Sequence, residues 1–439
     1  MLLRLRFANY RSFKGEVELS AIATRLDREA ARQEPISQET GDTLSALPVT
    51  AILGANASGK SNLIKAAKFM REFVINSAFG VHPVGGTGRD WFRLDKRSQV
   101  KPTLFEVDFT HRGNRYVYGF ELNDEIVTAE WLHTFPHRRT QVLFDREGSE
   151  FTFGRNLSGP NKRIADLTRP NALYLSTAAS SNHEALLDVI NWFYAQFMLV
   201  DLSMQIEAPW LAQRVEGQEK RVSQMLRLAD LGIVDARVER RRDEKRRQVL
   251  RQSLERSIPR DLPDRDKEID LYLLHSDADD MQLRLMHRTA QGQSALPFDD
   301  ESLGTKTWLV MVINVLTALE HGSTVIVDEL DASLHPGLMA EILRLFSDKK
   351  SNMRGAQLIF TTHDTWSLDS NSETQLSRGQ VWFVEKDPAG ASTLTPLSEY
   401  RPRKGEDIQR GYLQGRYGGV PRPQSERLVE VASMPPQRG

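Results

Sequence analysis

A mixed α/β fold organised around a phosphate-binding loop is predicted by three observations. The stretch Gly54-Ala55-Asn56-Ala57-Ser58-Gly59-Lys60-Ser61 fits the pattern G-x-x-x-x-G-K-[ST] without a mismatch. It is preceded by the short, apolar, partly β-branched run Val49–Leu53, which reads as a buried strand, and followed over 62–69 by helical spacing. Far downstream, a second apolar run at 323–329 ends in two adjacent carboxylates, Asp328 and Glu329.

Each part of the loop has a chemical reason. Gly54 and Gly59 let backbone N–H groups turn inward on phosphate oxygens, and the following helix N-terminus adds partial positive charge. Lys60 is expected to reach the β- and γ-phosphate oxygens, and Ser61 to offer its hydroxyl to Mg²⁺. Of the two acids, Asp328 is expected to hold water on the metal and Glu329 to polarise the attacking water. A further strand, 357–361, leads to Thr362-His363-Asp364, and a histidine at the C-terminal end of such a strand is a candidate γ-phosphate sensor.

Composition narrows the classes. The 439 residues give room for two or three core-bearing units at about 100–200 residues each. Apolar content of 40%, charged content of 27% and a net charge of −1 suit a globular protein and exclude a globally basic nucleic-acid coat. With no cysteine, disulfides and thiolate metal sites are excluded. The alternating N-terminus is unlike a signal peptide, and no stretch approaches the ~18 apolar residues of a membrane span, so a cytoplasmic protein without a membrane partner is expected.

Along the chain, residues 2–7 and 16–20 alternate around a turn and predict a β-hairpin. Residues 27–46 are polar and aperiodic and predict a loop, and 80–88 a flexible connection. Alternation over 103–153 predicts several antiparallel strands in a second sheet. From residue 180, Leu186, Leu187, Ile190, Phe193 and Phe197 predict a core helix, and a second helix is expected from Glu219 to Leu228, ended by Gly232. The segment 237–260 holds ten Arg/Lys against four acids, about +6, which suits either a solvated helix face with internal ion pairs or a contact to nucleic acid or an acidic partner. Asp277, Asp279 and Asp280 are expected in a solvated loop. No internal repeat or sustained heptad array is present, so any arm is short. The Pro-rich tail from Pro421 is expected to be disordered. The resulting division is 1–170, an N-terminal lobe with hairpin, phosphate loop and β subdomain; 171–295, a mainly helical insertion with the basic segment; 296–420, a C-terminal lobe; and 421–439, the tail.

Ser302 and Gly304 stand at the start of an apolar helix, where they form either an ordinary cap or a second anion-binding N-terminus. The order of the motifs favours the second. The series 54–61, Ser302 to Thr305, Asp328-Glu329, Asp331 and His363 resembles the ATPase head of the ABC clade: phosphate loop, signature, paired acids, D-loop and switch histidine. The opening Asn9-Tyr10-Arg11-Ser12-Phe13 is similar to the first hairpin of SMC- and OLD-type ATPases. The closing Tyr412-Leu413-Gln414-Gly415-Arg416-Tyr417-Gly418-Gly419-Val420-Pro421 resembles an AAA-labelled group of that clade found in bacterial defence systems, of which AbiL, RloA and the AriA subunit of PARIS are examples.

The resemblance implies an ABC-type P-loop head with an antiparallel β subdomain, a helical insertion and no long coiled coil. It implies ATP and Mg²⁺ as cofactors, nucleotide contacts from Arg11, Gly54, Asn56, Gly59, Lys60, Ser61 and Asn62, metal contacts from Ser61 and Asp328, and catalysis by Lys60, Glu329 and His363. In such heads a head-to-tail dimer encloses two ATP molecules, so Ser302 and Gly304 would meet the γ-phosphate bound by the other subunit, and Asp331 of the D-loop is a further nucleotide-binding residue. It also implies a separately encoded toxin or nuclease effector, Toprim-like or RloB-like, released when DNA or a phage protein is sensed. Thr305 departs from the second glycine of transporter-type signatures, and no Q-loop glutamine is identifiable. An SMC- or RecF-like DNA-repair ATPase is the alternative. A fused nuclease does not fit the 76 residues after His363, and a transporter head does not account for the hairpin and long insertion.

Overall fold

Long-range strand pairing, rather than any single helix, sets the architecture. The computed structural model describes residues 1–37, 40–80, 85–136, 139–202, 208–240, 244–257, 281–332, 334–369, 375–403, 406–420 and 433. The Asp277, Asp279, Asp280 loop and the tail from Pro421, except residue 433, lie outside them. Contact density divides the chain into two units: Met1–Leu199 with Gly322–Glu329 and Leu343–Gly439, and Val200–His321 with Leu330–Ile342.

The first unit opens with β1 (Leu2–Ala8) and β2 (Val17–Ser20), then β3 (Arg32–Pro35), β4 (Thr43–Ala46) and β5 (Val49–Leu53). Helix α1 (Lys60–Asn76) follows, then five antiparallel strands: β6 (Thr103–His111), β7 (Asn114–Leu122), β8 (Val127–Thr134), β9 (Gln141–Glu147) and β10 (Glu150–Phe153). Next come α2 (Asn161–Leu167), α3 (Tyr174–Ser180), α4 (Glu184–Asn191) and β11 (Phe197–Val200).

The expected hairpin is not separate from the second sheet. β1 pairs with both β2 and β6, giving one seven-stranded sheet in the order β10-β9-β8-β7-β6-β1-β2. Helix α1 presents Leu63, Ala66, Ala67, Met70, Phe73 and Val74 at three- and four-residue spacing, all buried. Phe69 and Phe73 meet Phe105 and Phe120 of that sheet at 5.1 and 5.6 Å between ring centroids.

Two local expectations are corrected. Residues 27–46 are not a plain loop, because β3 and β4 pair antiparallel. Their polar side chains hid a ladder whose contribution is backbone hydrogen bonding, with only Ala46 buried against Met1 and Leu3. The helix expected to carry Phe197 instead passes from α4 into a π-helical turn, Trp192–Gln196, and Phe197 begins β11. The extra residue in that turn lets Trp192 stack on both Phe109 (4.0 Å) and Phe197 (4.9 Å).

The other sheet of this unit has the order β11-β15-β16-β5-β17-β18, with β15 (Thr324–Val327), β16 (Gln357–Thr362), β17 (Val381–Lys386) and β18 (Ser392–Pro396). β15, β16, β5 and β17 run parallel. Their apolar runs are continuous because both faces are covered: every residue of β5, β15 and β16 is buried.

The second unit contains α5 (Ala208–Val215), α6 (Glu219–Leu228), β12 (Ile233–Arg240), α7 (Glu244–Ser257), β13 (Met281–Thr289), β14 (Gly292–Pro297) and α8 (Leu303–His321). Helix α9 (Pro336–Ser347) crosses the sequence boundary between the units, and α10 (Ile408–Leu413) belongs to the first. Helix α6 has the expected bounds, but the insertion also contains an antiparallel sheet, β12-β13-β14, that the helical periodicity around it obscured. Arg237 and Arg240 of the basic segment therefore lie on a strand. Helix α8 corrects the membrane expectation: its 19 residues are long and apolar enough to span a bilayer. They are instead mostly buried against α5 and α6, as suits a core helix.

One buried ion pair ties the β subdomain to α3. Glu130 of β8 is fully buried, accepts hydrogen bonds from Tyr174 N (2.6 Å), Leu175 N (3.0 Å) and Tyr118 Oη (3.0 Å), and faces Arg146 at 3.5 Å. Desolvation pushes its carboxyl up despite the opposing Arg146 charge. Arg146→Leu is expected to cost about 3 kcal/mol in urea denaturation, because it leaves a buried carboxylate without its cation. A raised carboxyl binds its proton more tightly in the fold than in the unfolded chain, so the loss should shrink as pH falls and grow as pH rises. A cost under about 1 kcal/mol at every pH would contradict this role.

Candidate nucleotide site

Strand β5 ends at Leu53, and the next residues form the glycine loop whose far end starts α1. Gly59 has φ of 120°, a conformation open to glycine, and a Cβ there would collide with the hydroxyls of Ser12 and Ser392. Those serines clasp the loop. Ser392 Nα–H donates to Ser12 O at 2.7 Å, its Oγ donates to Ser58 O at 2.5 Å, and Asn62 Nδ2 donates to Ser12 Oγ at 2.8 Å.

Lys60 is buried, and its ammonium donates to Gly54 O at 2.6 Å and Ala55 O at 3.1 Å. It also lies 3.3 Å from His363 Nδ1. The other ring nitrogen of His363, Nε2, lies 3.5 Å from Glu329 Oε1. Lys60, His363 and Glu329 thus form one line of polar groups across the C-terminal ends of β5, β16 and β15.

Thr361, near the end of β16, organises the acids. Its hydroxyl donates to Asp328 Oδ1 at 2.6 Å and accepts from Glu329 N at 2.7 Å. Glu329 adopts φ of 52°, an uncommon conformation for a non-glycine residue, and its side chain is exposed beside His363.

The remaining expected residues divide into two groups. Asn56 is exposed at the tip of the loop, and Ser61 and Asn62 are half-buried on the first turn of α1. Arg11, expected at the nucleotide, is engaged by Asp90: its N–H donates to Asp90 O at 2.7 Å and its guanidinium lies 3.1 Å from Asp90 Oδ2. Ser302, Gly304 and Asp331 belong to the second unit. There Ser302 caps α8, its Oγ accepting from Thr305 N at 3.2 Å and lying 2.9 Å from Thr305 Oγ1. The Thr305 departure is accounted for locally, since a glycine would supply no hydroxyl to the cap.

Ser12, Thr361 and Ser392 were missed as site residues. Ser12 lay within a recognised stretch, but nothing local in the sequence reveals where any of these hydroxyls point.

The residues present fit a magnesium nucleotide. A buried ammonium sits inside a glycine loop at a helix N-terminus, which is an anion cradle. Among the described residues no cluster of three or more His, Asp or Glu could hold a metal alone. Ser61 on the first turn of α1 and Asp328 held by Thr361 are the candidates for Mg²⁺, which binds through one or two protein ligands together with phosphate oxygens and water.

Of the basic segment, residues 241–243 and 258–260 lie outside the described residues, and three of its arginines are ion-paired. Arg237 pairs with Asp235, Arg240 with Glu216, and Arg251 with Glu255.

Residues 49–369 match the family described as "AAA domain, putative AbiEii toxin, Type IV TA system". A search of curated proteins gives no match. Among solved structures, the chain is similar to an SMC head bound to the C-winged helix domain of ScpA, with TM-score 0.40, 11% identity, and coverage of 90% of this chain and 97% of that one. It is also similar to the SMC head domain from Thermotoga maritima, with TM-score 0.38, 15% identity, and coverage of 90% and 98%. At these values the likeness carries no functional argument.

Thr361→Val keeps the shape of the side chain but removes its donor and acceptor. It is expected to weaken Mg²⁺-dependent nucleotide binding about tenfold by titration calorimetry, with Thr361→Ser restoring it. Equal Mg²⁺ dependence in wild type and Thr361→Val would remove Thr361 from the site.

Proposed function

This chain belongs to the AAA-domain family matched over residues 49–369, and from that premise we propose that it binds and hydrolyses ATP as the sensor and scaffold subunit of a bacterial phage-defence system. The observation that carries the hydrolytic part is the line Lys60, His363 and Glu329, with Asp328 held beside it by Thr361.

In this reading the loop from Gly54 to Gly59, with Asn56 at its tip, wraps the phosphates, and Lys60 exchanges loop carbonyls for the β- and γ-phosphate oxygens. Asn62 supports the loop through Ser12, and Arg11 lies at the same hairpin turn. Mg²⁺, when bound through Ser61 and Asp328, supplies charge neutralisation on the phosphates. Glu329 orients and deprotonates the attacking water, and His363 holds the γ-phosphate end between Glu329 and Lys60.

Assembly forms the second part of the proposal. Ser302, Gly304 and Asp331 act on the nucleotide of a second copy in a head-to-tail dimer, with hydrolysis loosening the pair. The output is control of a separately encoded toxin or nuclease of Toprim-like or RloB-like type, triggered in the cytoplasm by DNA or a phage protein. The reference to a toxin–antitoxin system in the family description agrees with a paired-component setting. The competing DNA-repair reading draws on the same head and on the basic segment, of which Arg237, Arg240 and Arg251 are engaged in ion pairs within the chain.

Glu329→Gln is expected to lower ATP turnover by about 10²–10³-fold while retaining ATP binding, and Lys60→Ala to lose binding. Wild-type turnover no faster than that of Glu329→Gln would end the catalytic assignment. Light scattering of Glu329→Gln with Mg²⁺ and ATP should give a larger species than without ATP, and adding Ser302→Arg should abolish the increase. An unchanged mass with and without ATP would refute nucleotide-driven assembly.

A further inference from the structure

The closing stretch 412–420 lies outside the family-matched region, yet its backbone rests on the first glycine of the phosphate loop. A Cβ built on Gly419 would lie 3.3 Å from Gly54 Cα and 3.7 Å from Val384 O. Gly54 itself has no room for a side chain, since a Cβ there would lie 2.5 Å from Val384 O. Gly54, Val384 and Gly419 are thus packed backbone against backbone.

Two hydrogen bonds hold Gly419 in this position. Its N–H donates to Glu385 Oε1 at 2.8 Å, and Tyr412 Oη donates to its carbonyl at 3.2 Å. Its φ of 68° allows the turn to close against both. The Tyr412 and Tyr417 rings stack on Phe383 at 5.3 and 5.9 Å, with interplanar angles of 14° and 10°. Tyr417 Oη in turn donates to Glu406 at 2.6 Å. Phe383 lies opposite Leu53 in the β17–β5 register, so the aromatic stack is anchored on the strand that launches the loop.

We infer that Gly419, held by Glu385 and Tyr412, is a positioning residue for the phosphate loop and sets its affinity for the nucleotide. The path is short. Gly419 backs Gly54, whose carbonyl accepts from the Lys60 ammonium at 2.6 Å. A displacement of Gly54 therefore moves Lys60 and changes the cradle, while Glu329 and His363 remain on β15 and β16. The consequence falls on binding rather than on the hydrolytic step. This inference rests on the ATP-binding reading above.

The test uses the full chain with Mg²⁺-ATP, measuring KM, kcat and thermal midpoint for wild type, Gly419→Ala, Tyr412→Phe and Lys60→Ala. Gly419→Ala is expected to raise KM about tenfold with kcat within about twofold, because it removes binding made equally in ground and transition states. Tyr412→Phe keeps the ring stack and loses only the hydroxyl bond, so it is expected to raise KM about threefold with an unchanged thermal midpoint. Wild-type KM in both variants, alongside loss of activity in Lys60→Ala, would overturn the positioning role and leave the ATP site standing. A fall in thermal midpoint or kcat without a change in KM would also overturn it. If Lys60→Ala turned over ATP like wild type, the nucleotide reading itself would fall and this inference with it.

Discussion

The parallel register of β15, β16 and β5 is the constraint on which the site depends. Thr362 lies opposite Leu53, and Phe360 lies opposite Val327. The residues just beyond these pairs are Gly54, His363 and Asp328, so the phosphate loop begins at the same edge as two segments that lie hundreds of residues further along the chain. Thr361 then falls opposite the start of the acidic pair, which is why one hydroxyl reaches both Asp328 and the Glu329 backbone. A slip of one residue would turn Thr361 to the other face and put a different side chain there. The complete burial of these strands makes such a slip costly, since every position on both faces is already packed.

That rigidity supports unusual backbone at the edge. Ala57, Gly59 and Glu329 all have positive φ, and the non-glycine members store strain on the order of 1–3 kcal/mol each. Strain of this kind persists only where surrounding contacts leave no easier conformation. For Glu329 the Thr361 hydroxyl supplies the restraint, and for the loop the Ser12, Ser58 and Ser392 clasp does. Helix α1 transmits the support of the larger core, because its buried face joins the seven-stranded sheet and the parallel sheet in one apolar cluster.

What the sequence disclosed follows from the range of the interactions. The loop, Asp328, Glu329 and His363 were legible because each sits at the end of an apolar run, and strand end plus polar residue is a local signal. Glu219–Leu228 was legible for the same reason, as a periodic segment closed by glycine. The placements of Thr361, Ser392 and Gly419 were not, since they exist only once the strands are in register, which brings Thr361 to an acid 33 positions away and Ser392 to a serine 380 positions away. The β3–β4 pair and the sheet β12-β13-β14 were hidden by polar composition and by neighbouring helical pattern. Arg11 marks the opposite case: a motif position was read correctly as part of a hairpin, while its side chain is engaged by Asp90 rather than turned into the loop.

The electrostatics of Lys60 connect these layers. A buried ammonium must be matched by acceptors, and here Gly54 O and Ala55 O, both neutral carbonyls, provide them. The ammonium's bonds to these carbonyls are already charge-assisted, and a phosphate oxygen adds to such a bond the attraction of an opposite charge. A phosphate oxygen in the loop is therefore a better partner than either carbonyl, and the cradle favours an anion by that difference. The same ammonium also lies against His363, and His363 against Glu329, so the groups placed to hold phosphate and to act on water are neighbours. The loop and the acids nonetheless rest on different strands, β5 and β15, so a change in the support of the loop leaves the backbone of the acids in place.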